Sequence, residues 1–421
     1  MIVFRFFSLL LFFPSITFGL LSAEVFPWGV VFSVLFMRTC SKYMLILSGL
    51  LCISSFFVLL GLVNSGPGLE TDVLRSLAAY INVILVVQTL LSINRSRVVD
   101  ICLMSRKVFW VLIGLGFLQT IGFDALGTFI QLLVPRGEGS SLSEINRGVT
   151  LLASEPARAG VELTLIYLIY RLARPAKVRD IFIDLLLIMY QALVIKSASG
   201  LAFTLGAFFI VYFRMKVDVL SLSIMGGLLL LVVPVGWLIF PSVGGRAGDL
   251  LLHIGSLESF GDALFYVANE SGNRLIALYS FFLSGIYNPL GFGVGSWPYS
   301  SMIALVESGI DYRDFRFFDV VSEDTLRPFR GPGVISNLLL DIGVVGVALL
   351  AYLFSRTLYS YNAFSTLSIK ALWIFLFKIL LFGSPGNPIV FVFFIVVFCV
   401  TSKQTSVVNK NKFRSLEWKK M

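Results

Sequence analysis

The chain is poor in the residues on which most soluble chemistry depends. Its 421 residues include one histidine, His253, and four cysteines, and only 14% are charged, against about 25% in a typical soluble domain. A single histidine leaves no multi-histidine metal centre, and no metal or other cofactor is expected. The cysteines, Cys40, Cys52, Cys102 and Cys399, fall in or beside apolar runs. None lies in a long loop, so no structural disulfide is expected. There is no P-loop, and no glycine-rich nucleotide fingerprint follows a strand. Apolar residues make up 57% of the chain and the mean hydropathy is +0.91. A chain of that composition could not cover its own surface in water. This excludes a cytosolic enzyme, a disordered chain and a secreted disulfide scaffold.

What the sequence does contain is apolar runs of about 15 to 22 residues, the length that crosses a hydrocarbon core. The expected fold is all-α, a polytopic integral membrane protein with about twelve transmembrane helices. They fall over 4–22, 25–37, 44–63, 74–93, 107–122, 160–173, 180–195, 199–213, 217–240, 334–355, 366–384 and 387–402. Residues 1–20 look like a signal peptide, but only Arg5 precedes the apolar run and no small-residue cleavage site follows, so they read as a span. The whole chain, 1–421, then forms one membrane domain.

The net charge of +9 serves topology and not nucleic-acid binding, because the basic residues lie between apolar runs and form no stripe. With both termini inside, the inner segments carry Arg5; Arg38 and Lys42; Arg95, Arg97, Arg106 and Lys107; Arg171, Arg174, Lys177 and Arg179; Arg214 and Lys216; Arg356 and Lys370; and the basic tail 403–421. Every inner loop is basic, as the positive-inside bias requires. Two long loops then lie outside, 123–159 and 241–333. No folded domain is left inside, so chemistry fuelled by cytosolic ATP or a nucleotide sugar is not expected.

The outer segments carry arginine almost alone: Arg75, Arg136, Arg147, Arg158, Arg246, Arg274, Arg313, Arg316, Arg327 and Arg330, with Lys196 the single lysine. A guanidinium is a planar, permanently charged fork suited to phosphate. As a set these residues favour an anionic ligand, although for any one of them an ordinary loop ion pair is the plainer account. The first loop ends in Arg147, Glu155 and Arg158, with Pro156 as a helix-start signal. Glu155 is either an acid favoured by the helix dipole or a carboxylate poised between two guanidiniums. The short turn Lys196–Gly200 has small residues that let a lipid or sugar approach closely, or else simply a lysine snorkelling at a helix end.

In the second loop Arg274 precedes an apolar stretch, and Asn288-Pro289 opens a turn with glycines at 291, 293 and 295. This pattern follows no strand and reads as a re-entrant or interfacial segment. Arg327 and Arg330 stand just before a span that carries Asp341, Gly343 and Gly346. Small residues at that spacing imply close helix packing. Asp341, Lys378 and Asp184 are intramembrane charges that need partners.

This architecture resembles the O-antigen polymerase (Wzy) and O-antigen ligase superfamily of bacterial envelopes. The likeness rests on Arg274 followed by Asn288-Pro289-Leu290-Gly291-Phe292-Gly293, on Asp341-Ile342-Gly343-Val344-Val345-Gly346, on the Arg-x10-Gly spacing from Arg274 to Gly285, and on Ser154-Glu155-Pro156. It covers roughly residues 140–355. Where the ligase branch carries a histidine, about nine residues ahead of the acid, this chain has Pro332, which favours the polymerase branch.

The resemblance implies a GT-C-like glycosyltransferase of the bacterial inner membrane with its active face in the periplasm. It would join undecaprenyl-pyrophosphate-linked oligosaccharides without a metal. Glu155 is the first candidate for the base and Asp324 the second. Arg274, Arg147, Arg158, Lys196, Arg327 and Arg330 are the candidates for the pyrophosphate. A flippase and a chain-length regulator are implied partners. Ligase-type transfer and membrane transport are the alternatives, and a membrane scaffold is a third.

Overall fold

The computed structural model describes residues 2–17, 26–62, 69–121, 124–134, 148–174, 177–213, 266, 269, 274–310, 315, 328–361, 364–383 and 385–402. Helices account for every regular element among them. They are α1 (Ile2–Leu10), α2 (Pro27–Phe36), α3 (Lys42–Leu62), α4 (Leu69–Ser92), α5 (Arg95–Ile121), α6 (Asp124–Leu133), α7 (Pro156–Leu172), α8 (Val178–Tyr190), α9 (Ala198–Tyr212), α10 (Arg274–Tyr287), α11 (Trp297–Glu307), α12 (Val334–Tyr361), α13 (Thr366–Leu381) and α14 (Ile389–Thr401). Each expected span holds a helix over all or part of its length, except 217–240, which lies outside the described residues.

Among the described residues, four helices are long and apolar enough to cross a membrane on their own: Lys42–Gly61, Glu70–Ser92, Arg95–Ile121 and Val334–Ser360. The others have 17 residues or fewer. The first expected span, 4–22, leaves the helix after Leu10 and enters turns at 11–12 and 14–15. Pro14 has no amide hydrogen to continue the helix. The expected outer loop 241–333 contains an apolar helix, α10, together with α11.

The interior is built round α7 and α14. Every residue of α7 from Ala159 to Leu172 is buried, and α14 is apolar on all sides, as a helix enclosed by other helices must be. Helix α14 packs on α4, α5, α7 and α13, and α7 packs on α5 and α9. The surface is as telling as the core. Ile46, Leu50, Ile53, Phe57 and Leu60 on α3, and Val111, Phe117, Leu118 and Ile121 on α5, are exposed. Apolar surface of this extent is foreign to a water-soluble monomer and suits lipid contact.

The helix ends sort into two groups. Arg38 Nη1 donates to Asn94 Oδ1 at 2.8 Å, Arg95 Nη2 donates to the Val400 carbonyl at 2.8 Å, and Lys370 donates to the Val211 carbonyl. All of these belong to segments expected inside. At the other end, Arg274 meets Ser199 and Arg330 meets Ser76, which join segments expected outside.

Candidate functional site

The site starts at the head of α7. Glu155 is the N-cap, in extended backbone, and Pro156 occupies the first helical turn, where its missing amide hydrogen costs nothing. The Glu155 side chain makes no capping bond. It lies 3.3 Å from Arg158 Nε, one turn along the helix, and both groups remain partly exposed. One of the two guanidiniums expected to flank Glu155 is therefore in place. The other, Arg147, lies outside the described residues, but its neighbour Gly148 packs against the Ile195 carbonyl and Lys196 Cβ. The Val149 amide also donates to the Val194 carbonyl at 3.3 Å. The end of the first loop is thus laid alongside the Lys196 turn.

That turn is shaped by a π-helical segment, Gln191–Ile195, and ends with Lys196 in the left-handed conformation at φ 53°. A π segment widens the helix by one residue and recurs at functional sites. Here it turns Gln191 into the core, where its Nε2 donates to the Gly160 carbonyl at 2.8 Å and Thr164 Oγ1 at 3.1 Å. Ser197 Oγ caps α9 by accepting from the Gly200 amide at 3.2 Å. Gly200 is buried, and a Cβ there would stand 3.1 Å from the Gly160 Cα. Its small size is used by the α7–α9 crossing and not by an approaching lipid. The partly exposed Ser199 accepts from Arg274 Nη1 at 3.4 Å. Arg274, the first residue of α10, therefore reaches the turn from a segment 75 residues away in sequence.

Two turns below Glu155, on the same face of α7, the buried Glu162 accepts from Asn387 Nδ2 at 2.9 Å. Arg158, Lys378 and Glu155 all act on it electrostatically. Lys378 is 1% exposed, and its ammonium makes no hydrogen bond among the described residues. Gly383 sits directly over that ammonium at φ +90°, and a Cβ there would be 2.3 Å from Lys378 Nζ. The sequence singled out Lys378 as an intramembrane charge but missed Glu162 and Asn387. The signal for Glu162 was present, since an acid within the apolar run of α7 needs a partner.

A second polar knot holds the glycine-rich segment. Helix α12 breaks at Gly343, with φ 63° and ψ −177°, a region essentially reserved for glycine. The break frees helical hydrogen-bonding groups, and the 288–295 segment takes them. The Phe292 amide donates to the Leu340 carbonyl at 3.0 Å, the Gly293 amide to the Asp341 carbonyl at 2.7 Å, and the Val345 amide to the Pro289 carbonyl at 3.1 Å. The backbone is irregular, but these bonds satisfy it internally, as a segment that entered a bilayer would need. Gly343 was expected to serve helix packing, but it breaks the helix instead. Asn288 Nδ2 donates to Glu307 Oε2 at 3.0 Å, which ties the turn to α11.

Asp341 has the partners its position requires. It accepts from Tyr80 Oη at 2.9 Å and from the Gly295 amide at 3.2 Å. Arg330, one of the expected pyrophosphate ligands, lies over the Trp297 ring at 4.4 Å and donates to Ser76 Oγ at 3.3 Å. It acts on Asp341 electrostatically. The segment that carries it continues to Gly333, which rests on the carbonyls of Ile379 and Leu380 beside Lys378.

The structure thus brings Arg274 to the Lys196–Gly200 turn, pairs Glu155 with Arg158 at the head of α7, which crosses α9 at Gly160 and Gly200, sets Glu162 with Lys378 and Asn387 further along α7, and holds Arg330 in the Asp341 knot. Asp324 and Arg327 lie outside the described residues. Chemically, the gathered set offers cations to an anionic group and a carboxylate to a hydroxyl. No protein-family model, curated protein or solved structure matches the chain.

Proposed function

We propose that this protein polymerises lipid-linked oligosaccharide repeat units at the outer face of the bacterial inner membrane. The observation that supports this best is the contact of Arg274 with the Lys196–Gly200 turn at the head of α9, which crosses α7 at Gly160, two residues past the Arg158 of the Glu155–Arg158 pair. A cationic cluster with an adjacent carboxylate is what transfer from a pyrophosphate donor requires.

In the reaction, the acceptor sugar hydroxyl bonds to the anomeric carbon of the donor glycan. The donor carbon–oxygen bond to pyrophosphate breaks, and its electron pair leaves with undecaprenyl pyrophosphate. The hydroxyl proton passes to a carboxylate, Glu155 first and Asp324 second. Arg274, Arg158 and Lys196 spread the charge that develops on the leaving group, with Arg147, Arg327 and Arg330 as further candidates. Preorganised donors of this kind lower the barrier because they need not reorient during reaction. Glu162 and Lys378 position the head of α7 from below.

The finer architecture belongs to the same proposal: about twelve spans in a GT-C-like arrangement, both termini cytoplasmic, and periplasmic loops over 123–159 and 241–333. A flippase would supply the lipid-linked repeat unit and a chain-length regulator would act on the product.

The test is a gel of envelope polysaccharide from cells lacking the gene. Loss of the long ladder, with one repeat unit still attached to lipid A core, supports polymerisation. Loss of every repeat, with lipid-linked polymer accumulating, would assign ligase-type transfer. An unchanged ladder would overturn both and leave transport.

A further inference from the structure

The end of the bundle opposite this cluster holds a cavity that polymerisation does not use. The 17 residues of α7 rise by about 26 Å, and Arg174 lies just beyond its far end. There a cavity of about 180 Å³ opens between α5, α7 and α8, lined in part by Arg106, Arg174, Arg179, Trp110, Tyr170 and Ile183.

Its floor is built and buried. Arg174 is 4% exposed and Tyr170 5%. Arg174 forks onto Asp180, with Nη1 3.0 Å from Oδ2, and its guanidinium lies 4.5 Å from the centre of the Tyr170 ring. Arg106 approaches the same ring at 5.2 Å. Two guanidiniums are thus drawn to one aromatic side chain, with a third, Arg179, at the rim.

The nearby acids are already committed. Asp180 is taken by Arg174, and Asp184 lies 3.6 Å from Arg171 and accepts from Tyr167 and Tyr212. Among the described residues, neither Arg106 nor Arg179 has a carboxylate partner, and both are exposed. Converging like charges without a counter-charge favour an anion, and a guanidinium fork suits phosphate oxygens.

The surroundings distinguish a lipid from a free ion. Trp110 is 43% exposed at the mouth, and the flanking surface presents Val111 at 66%, Phe182 at 70% and Leu186 at 43%. A free phosphate would leave this apolar surface without use. An amphiphile would place its phosphate on the arginines and its acyl chains along α5 and α8, with Trp110 at the interfacial level where tryptophan is favoured.

We infer that the cleft between α5, α7 and α8 is a binding site for the headgroup of an anionic phospholipid. The site belongs to the basic end of the bundle, where anionic lipids of the cytoplasmic leaflet attract arginine and lysine. It does not depend on the polymerase assignment, since it needs only a chain in a bilayer.

The experiment is native mass spectrometry of the purified full-length protein in detergent, titrated with phosphatidylglycerol, with phosphatidylcholine, or with phosphatidylglycerol in the presence of inorganic phosphate. The wild-type protein should retain phosphatidylglycerol in preference to phosphatidylcholine. Arg106→Ala with Arg179→Ala should weaken that retention roughly thirtyfold, the combined effect of two surface cations. Arg106→Lys with Arg179→Lys keeps the charge without the fork and should retain more lipid than the double-alanine variant but less than wild type, which separates loss of charge from loss of fold. Equal retention of both lipids, or undiminished binding in the double-alanine variant, would overturn the site. Full displacement of the lipid by millimolar phosphate would also overturn it, by assigning the cleft to a free anion.

Discussion

The Tyr80 hydroxyl donates to the Asp341 carboxylate at 2.9 Å, joining α4 to α12 across 261 residues of sequence. The same carboxylate accepts from the Gly295 amide, so one side chain fixes two helices and the glycine-rich segment. Asp341→Ala should therefore leave two buried donors unpaired, at a cost of about 1–3 kcal/mol each. Tyr80→Phe should cost less, about 1 kcal/mol. Thermal unfolding in detergent measures both, and an Asp341→Ala variant as stable as the parent would remove the knot from the account of the fold.

Gly343 should tolerate no side chain. A Cβ there would stand 2.2 Å from the Pro289 carbonyl oxygen, at a φ of +63°, so strain and collision add. Gly343→Ala should lower stability by more than about 2 kcal/mol. Gly346, three residues on, keeps helical backbone and serves as the comparison: a Cβ there would stand 2.6 Å from the Ile342 Cβ, a collision without the added strain of a positive φ, so Gly346→Ala should be the milder change. Yield of monodisperse protein and unfolding temperature report the difference.

Arg274→Ala should abolish the polymer ladder while leaving the protein in the membrane at normal amount. Arg274 is exposed and reaches Ser199 only at 3.4 Å, so its loss costs the fold little. Arg274→Lys should restore little polymer, because a point charge does not replace the planar fork. A normal ladder in cells carrying Arg274→Ala would contradict the role assigned to this residue.

Lys378 and Glu162 should be coupled. They act on each other electrostatically although no ion pair joins them, so Lys378→Met alone should cost about 1 kcal/mol by removing the cation near Glu162. Adding Glu162→Gln should recover most of that loss, because a neutral pair needs no counter-charge and the amide can keep a hydrogen bond with Asn387. A double-mutant cycle read by thermal unfolding measures the coupling, and simple additivity would show that the two residues act separately.

Part of this was legible in the sequence. Pro156 after Glu155 marked the start of α7, and the apolar runs marked where the long helices lie, as in α3, α4, α5 and α12. Gly343 was legible as a special position but not in its role, since a glycine that packs helices and one that breaks a helix look alike in one dimension. Glu162 was legible as an acid in an apolar run, but its partner was not, because Asn387 lies 225 residues away.

The sequence by itself determined the solvent this protein needs. Hydropathy and the placement of arginine and lysine are local properties, and a bilayer reads them locally: apolar runs enter it and basic loops mark one side. Tertiary structure alone decided which polar groups share a site. A hydrogen bond in a low-dielectric interior depends on the position of both partners in space, so Arg274 at the Lys196 turn, Lys378 near Glu162 and Asp341 beneath Tyr80 exist only once the helices have packed.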